Sequence, residues 1–126
     1  MTGPLAVAEI GGTSVRIGFA EGGAPHAFAR TAPTVAIRTA DPVASLAALV
    51  RATAAEAGLA PVSVIATVPG FLDHDGDTVL HAANVPELAG IPLASRLSAA
   101  LGLPVTLERD VGLQLLGESV AGAVAG

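Results

Sequence analysis

The sequence contains no cysteine, tryptophan, tyrosine or lysine, and it has only three phenylalanines and one methionine. Without cysteine, the chain can form neither disulfides nor thiolate metal sites. Because aromatic residues make up only 2% of the chain, alanine, valine and leucine have to fill its core. The P-loop pattern GxxxxGK[ST] and the dinucleotide-binding pattern GxGxxG are also missing, which excludes two common phosphate-binding fingerprints.

Positive charge is scarce as well. The six basic residues are all arginines scattered singly along the chain, the net charge is -5 and the isoelectric point is about 4.9. A surface that binds nucleic acid is therefore not expected. The sequence shows no secretory signal and no run of apolar residues long enough to span a membrane, so we expect a cytoplasmic protein without a membrane partner.

The chain is rich in apolar residues. Hydrophobic residues make up 52% of its 126 residues, charged residues 13%, and the mean hydropathy is +0.66. The length fits one domain, but these values are apolar for a domain that stands alone. They indicate that a second domain or another subunit covers part of the surface.

Hydrophobic spacing predicts the element order β-β-β-α-β-α-β-α. The predicted strands cover residues 5–10, 15–20, 25–31 with an extension over 34–39, 62–68 and 105–107, with a small extra strand at 78–82 after a polar loop at 71–77. The predicted helices cover 42–57, with Asp41 as N-cap and Gly58 as stop, then 92–101 and 111–120. A meander followed by strands that alternate with helices predicts an α/β fold with a mixed five-stranded sheet.

The segment from Glu9 to Thr13 joins the first two predicted strands through two glycines, Gly11 and Gly12. Glycines let a bulky anion approach backbone amides, and Thr13 adds a hydroxyl donor, so the segment has the features of a phosphate site. Taken alone, a Gly-Gly pair between two strands is more typical of a simple hairpin turn that binds nothing.

Five short motifs occur in order along the chain. They are Glu9-Ile10-Gly11-Gly12-Thr13, Val68-Pro69-Gly70, an acidic loop at 73–77 with Asn84-Val85-Pro86, Gly102-Leu103-Pro104-Val105 with Glu108-Arg109-Asp110, and Gly117-Glu118. On these motifs the sequence resembles the N-terminal lobe of the ROK family (repressors, open reading frames and kinases). The resemblance implies a ribonuclease H-like, actin-like ATPase lobe, formed by residues 1–126, whose C-terminal lobe is absent from this sequence.

The resemblance also implies roles for individual residues. Gly11, Gly12 and Thr13 would contact the phosphates of ATP, and Glu9 would help to organise Mg²⁺ and phosphate where the family has an aspartate. Asp110 would be the catalytic base that accepts the proton of the attacking sugar hydroxyl. An N-cap for the last predicted helix is the alternative role of Asp110, and the two roles are compatible.

Sugar binding would fall to Asn84, Arg109 and Asp110. Arg109 stands where the family has an asparagine, and it offers hydrogen-bond donors but no acceptor. It is also able to pair with Asp110 and hold that carboxylate away from the sugar. Gly112 replaces a second asparagine, Asn84 fits a turn residue equally well, and Glu118 is expected to be solvated or to lie between helices.

No metal site is predicted from ligand spacing. Asp73, Asp75 and Asp77 alternate like a calcium loop, but the glycine falls at the fourth position of the loop and the twelfth position is Asn84. This pattern excludes an EF-hand. The three histidines show no ligand spacing, and the zinc site found in many ROK proteins has no counterpart in this sequence.

The resemblance leads to two principal hypotheses. The first is an ATP-dependent kinase of a hexose or amino sugar, with ATP and Mg²⁺ as cofactors, a C-terminal lobe as partner, and a homodimer as one assembly that the family allows. The alternative is a non-catalytic sugar-sensing or transcriptional regulator domain. The replacements of family residues at positions 9, 109 and 112 favour this alternative. An isolated lobe that acts as an interaction module is a third option.

Overall fold

A mixed sheet organises the chain. The computed structural model describes residues 3–22, 24–82 and 85–109. The strands are β1 (Leu5–Ile10), β2 (Ser14–Glu21), β3 (Ala24–Pro33), β4 (Ser63–Val68), β5 (Gly70–Leu72), β6 (Val79–Ala82) and β7 (Val105–Arg109). The helices are α1 (Pro42–Ala57) and α2 (Leu93–Leu101), with two 3-10 helices at Thr34–Ile37 and Pro86–Leu88.

Five strands form the main sheet in the order β3-β2-β1-β4-β7, and β5 pairs with β6 in a separate two-stranded sheet. The first three strands pair antiparallel, whereas β4 runs parallel to both β1 and β7. This confirms the predicted α/β fold with a mixed five-stranded sheet. The carboxyl ends of β1, β4 and β7 consequently lie along one edge of the sheet.

The core lies between one face of the sheet and the two α-helices. Alternate residues of β1 and β2 are buried, as the period of two requires. They pack in one cluster with the apolar stripes of the helices, which include Leu46, Val50, Leu93 and Leu97. Alanine, valine and leucine make up most of the buried apolar residues, as the composition predicted.

Both α-helices end as the sequence indicated. The Asp41 carboxylate accepts a hydrogen bond from the Ala44 amide at 3.0 Å, which caps α1, and Pro42 occupies the first turn. Gly58 and Gly102 end the helices at φ values near +70°. Glycine adopts this left-handed conformation without the steric cost of a Cβ atom.

Two local predictions were wrong. The third strand does not extend over 34–39, where Thr34–Ile37 form a 3-10 helix instead, because β2 begins at Ser14, opposite Pro33, and offers no partner beyond that residue. The predicted polar loop at 71–77 begins with a strand, since β5 pairs with β6. The predicted helix at 111–120 lies outside the described residues.

Within the described residues, no helix combines the length and the apolar character that a membrane crossing requires.

Candidate functional site

The turn between β1 and β2 is tight and exposed. The Gly11 amide donates to the Ser14 carbonyl at 2.8 Å, and a Cβ atom on Gly11 would lie only 3.0 Å from that oxygen. Gly12 and Thr13 are solvent-exposed. In the part of the chain that the structure describes, neither their amides nor the Thr13 hydroxyl has a hydrogen-bond partner. The turn therefore presents several adjacent donors to an anion.

One residue outside the turn holds it in place. The Thr34 amide donates to the Thr13 carbonyl at 2.9 Å, and the Thr34 hydroxyl donates to the Gly11 carbonyl at 3.0 Å. Sequence reasoning missed Thr34, because a threonine in an expected strand carries no signal of a contact with a turn 23 residues earlier.

Glu9 lies on β1, two residues before the turn. Its carboxylate is 3.5 Å from the guanidinium of Arg16, which is directly opposite on β2, and its side chain is 34% exposed. An exposed ion pair at this distance contributes little free energy and therefore restrains the Glu9 carboxylate only weakly. Glu9 thus remains available to another partner.

A second carboxylate shares this face of the sheet. Glu9 aligns with Thr67 on β4, and Thr67 aligns with Glu108 on β7, so the three side chains form a row across the parallel strands. Thr67 is fully buried, and its hydroxyl has no hydrogen-bond partner within the described residues. Carboxylates and hydroxyls are oxygen ligands of the kind that Mg²⁺ prefers.

The sheet brings some of the predicted residues to one edge. Ile10, Val68 and Arg109 end β1, β4 and β7, so the turn after β1 and the end of β7 lie at the same carboxyl edge. The backbone of Arg109 pairs with Val68. Asn84 and Asp110 lie outside the described residues, as do Gly112 and Glu118.

Gly70, the last residue of the Val-Pro-Gly motif, lies where two backbones meet. A Cβ atom added to it would be 1.9 Å from the His81 carbonyl oxygen on β6. Only glycine allows β5 to approach β6 this closely.

Two carboxylates of the acidic loop form hydrogen bonds within the loop and to the start of α2. Asp75 accepts hydrogen bonds from the amides of Asp77 and Thr78 at 2.8 and 3.2 Å, and these bonds lower the pKa of Asp75. Asp77 accepts from both the amide and the hydroxyl of Ser95, in the first turn of α2. Among the described residues, no group of three or more His, Cys, Asp or Glu side chains is arranged to hold a metal ion.

A cleft of about 670 Å³ opens on the helical side of the molecule. Its lining includes the first turn of α1 and the side chains of Glu87 and Arg96, and it contains none of the predicted site residues. The Arg38 guanidinium donates to the Glu87 carboxylate at 3.1 Å beside it, and this hydrogen bond lowers the pKa of Glu87.

The model of the ROK family matches residues 6–126. The chain therefore belongs to the ROK family. The comparison with curated proteins gave no match.

Solved structures of sugar kinases share the fold. The chain is 27% identical to a ROK family glucokinase from Streptomyces griseus in complex with glucose and AMPPNP; the match covers 95% of this chain and 37% of the glucokinase, with a TM-score of 0.78. It is 28% identical to an inorganic polyphosphate/ATP-glucomannokinase from Arthrobacter, over 99% of this chain and 51% of that one, with a TM-score of 0.76.

A regulator shares the fold too. A ROK family transcriptional regulator, homologous to the MLC protein of E. coli, is 21% identical over 93% of this chain and 30% of its own length, with a TM-score of 0.77. The chain thus spans between about a third and a half of the lengths of these three proteins.

Proposed function

We propose that residues 1–126 form the N-terminal lobe of an ATP-dependent sugar kinase, which transfers the γ-phosphate of ATP to a hydroxyl of a hexose or amino sugar in the cytoplasm. The observation that carries this proposal is the turn between β1 and β2, whose exposed, unpaired donors at Gly12 and Thr13 lie at the carboxyl edge of the sheet. The likeness to a glucokinase that binds glucose and AMPPNP supports the same reading.

In this proposal the turn binds phosphate oxygens of ATP. The Gly12 and Thr13 amides and the Thr13 hydroxyl donate to them, and Gly11 lets the backbone approach. Hydrogen bonds to a charged oxygen are shorter and stronger than those between neutral groups. The turn therefore contributes both binding and orientation of the transferred group.

The donor set at this edge fits Mg²⁺. Glu9 would hold the ion, directly or through water, and Glu108 and Thr67 on the same face supply further oxygens. When bound, Mg²⁺ supplies charge neutralisation on the phosphates. Compared with an aspartate, Glu9 carries its carboxylate one methylene further from the backbone.

Asp110 is proposed as the base. In the sequence it directly follows Arg109, the last residue of β7. The sugar oxygen forms a bond to the γ-phosphorus, the bond from that phosphorus to the bridging oxygen breaks, and ADP leaves. The proton of the sugar hydroxyl passes to the Asp110 carboxylate.

The test is ADP release by the complete protein across a panel of hexoses and N-acetylhexosamines. We expect release with at least one sugar, and we expect Asp110→Asn, which keeps the side-chain shape, to lower kcat by at least about a hundredfold. An intact fold with no sugar-dependent ADP release would refute the kinase.

A sugar sensor without catalysis is the second candidate. Arg109 favours it, because it stands where the family has an asparagine and offers hydrogen-bond donors but no acceptor for a sugar hydroxyl. A ROK family regulator has the same fold. Sugar binding detected by calorimetry, together with no ADP release by the wild type or Asp110→Asn, would establish the sensor.

A further inference from the structure

Both carbonyls that flank the exposed amides of the turn are bound by one residue, Thr34. Its hydroxyl donates a hydrogen bond to the Gly11 carbonyl at 3.0 Å, and its amide donates one to the Thr13 carbonyl at 2.9 Å. Thr34 is only 3% exposed, so its own side of these bonds is shielded from water. The first 3-10 helix begins at this residue, which fixes its backbone.

The geometry of the peptide group turns this contact into an orientation of the phosphate donors. The Gly11 carbonyl and the Gly12 N–H belong to the same planar trans peptide, in which they point in opposite directions. When the Thr34 hydroxyl holds the Gly11 carbonyl inward, the Gly12 N–H is held outward. Two successive glycines would otherwise leave this peptide with wide rotational freedom.

We propose that Thr34 is a positioning residue for phosphate binding, which aims the Gly12 amide without touching ATP itself. This inference rests on the proposed function. The hydroxyl of Thr34 thereby affects the affinity for ATP and the rate of turnover. Sugar binding, which is proposed for other residues, stays unchanged. Loss of one hydrogen bond that orders a donor is expected to cost about tenfold in kcat/KM for ATP.

The chain offers a matched control. Thr53 is also fully buried, and its hydroxyl also donates to a backbone carbonyl, that of Leu49 at 2.7 Å within α1. Thr53→Val and Thr34→Val thus remove the same kind of hydrogen bond from two buried threonines. Only the second bond reaches the turn.

The experiment measures kcat, KM for ATP, KM for the sugar and Tm in the complete protein. Thr34→Val should lower kcat/KM for ATP about tenfold with little change in KM for the sugar. Thr34→Ser, which keeps the hydroxyl, should restore most of the loss, and Thr53→Val should lower Tm without changing KM for ATP. Thr34→Ala replaces Thr34→Val if the valine variant does not fold.

Equal ATP parameters in Thr34→Val and Thr53→Val would overturn the inference, as would a loss that Thr34→Ser does not restore. ATP affinity measured by calorimetry separates this result from a failure of the kinase proposal. If the wild type binds ATP but phosphorylates no sugar, the same variants are compared by their Kd for ATP. A wild type that neither binds nor turns over ATP refutes both proposals.

Discussion

At the scale of single residues, Gly70 illustrates a position that tolerates no side chain. A Cβ atom on Gly70 would lie 1.9 Å from a backbone oxygen of β6. Because backbone atoms cannot rotate away as a side chain does, β5 and β6 would have to separate to remove this clash. Gly70→Ala should lower the free energy of unfolding by about 2–3 kcal/mol, measured by denaturant unfolding.

The control for this change is Gly76→Ala. Gly76 has a φ of +72° and nothing within 4 Å of the added Cβ, so its replacement carries only the conformational cost of about 1 kcal/mol. Equal losses in the two variants would contradict the steric explanation for Gly70.

The residue scale also shows where sequence reasoning ended. Gly11, Gly12 and Thr13 were predicted as phosphate contacts from the resemblance to the ROK family, because two glycines between strands are by themselves more typical of a plain hairpin turn. Thr34 and Thr67 were missed, because no local pattern encodes a hydrogen bond to a distant turn or an alignment with residues on neighbouring strands. The proposed roles of all the predicted site residues stay predictions: Glu9, Gly11, Gly12, Thr13, Asn84, Arg109 and Asp110.

At the scale of elements, a side chain of the acidic loop caps the start of α2. The residue before α2 is Pro92, which supplies no side-chain cap, and Asp77 provides one from the loop through the amide and hydroxyl of Ser95 at 2.8 and 2.5 Å. Asp77→Ala should therefore lower the free energy of unfolding by about 1–2 kcal/mol.

Asp73 supplies the comparison for Asp77, since within the described residues its carboxylate forms a hydrogen bond and an ion pair only with the neighbouring His74. Asp73→Ala should change the free energy of unfolding by less than about 0.5 kcal/mol. A smaller loss for Asp77→Ala than for Asp73→Ala would show that the loop does not cap α2.

Arg38, which directly follows the first 3-10 helix, forms an exposed ion pair with Glu87 in the second 3-10 helix. The hydrogen bond from Arg38 lowers the pKa of Glu87 below its ordinary value of 4.5. This pairing stabilises the fold when pH is above 4.5, and the contribution is lost as pH falls through the lowered pKa of the folded state. An NMR titration should show Glu87 of the wild type titrating below pH 4.5, and Arg38→Gln should return it towards that value. An unchanged titration in Arg38→Gln would exclude Arg38 as the cause.

Most elements were predictable because their signals are local. An apolar run predicted β1, alternating apolar residues predicted β2, and Asp41, Pro42 and Gly58 marked the ends of α1. The residues after Pro33 were mistaken for a strand, since apolar spacing does not reveal where the neighbouring strand begins. The three residues of β5 were too short to show any period.

At the scale of the whole molecule, the fold and family followed from the order of the motifs. The length of 126 residues fits one domain, but it does not indicate whether that domain functions alone. The chain spans 37% of the glucokinase and 51% of the glucomannokinase. We propose that contacts to adenosine and to the rest of the sugar come from a second lobe.

This proposal predicts that the 126-residue chain alone releases no ADP under conditions where the complete protein does. Phosphoryl transfer depends on holding donor and acceptor together, and a turn on one lobe orients only the phosphate end of ATP. Val35, Phe71 and Leu80 are more than half exposed, so the isolated chain should also bind a hydrophobic dye more strongly than the complete protein does. Both quantities are measured at equal molar concentration. Sugar-dependent ADP release by the isolated chain would show that these residues suffice for catalysis.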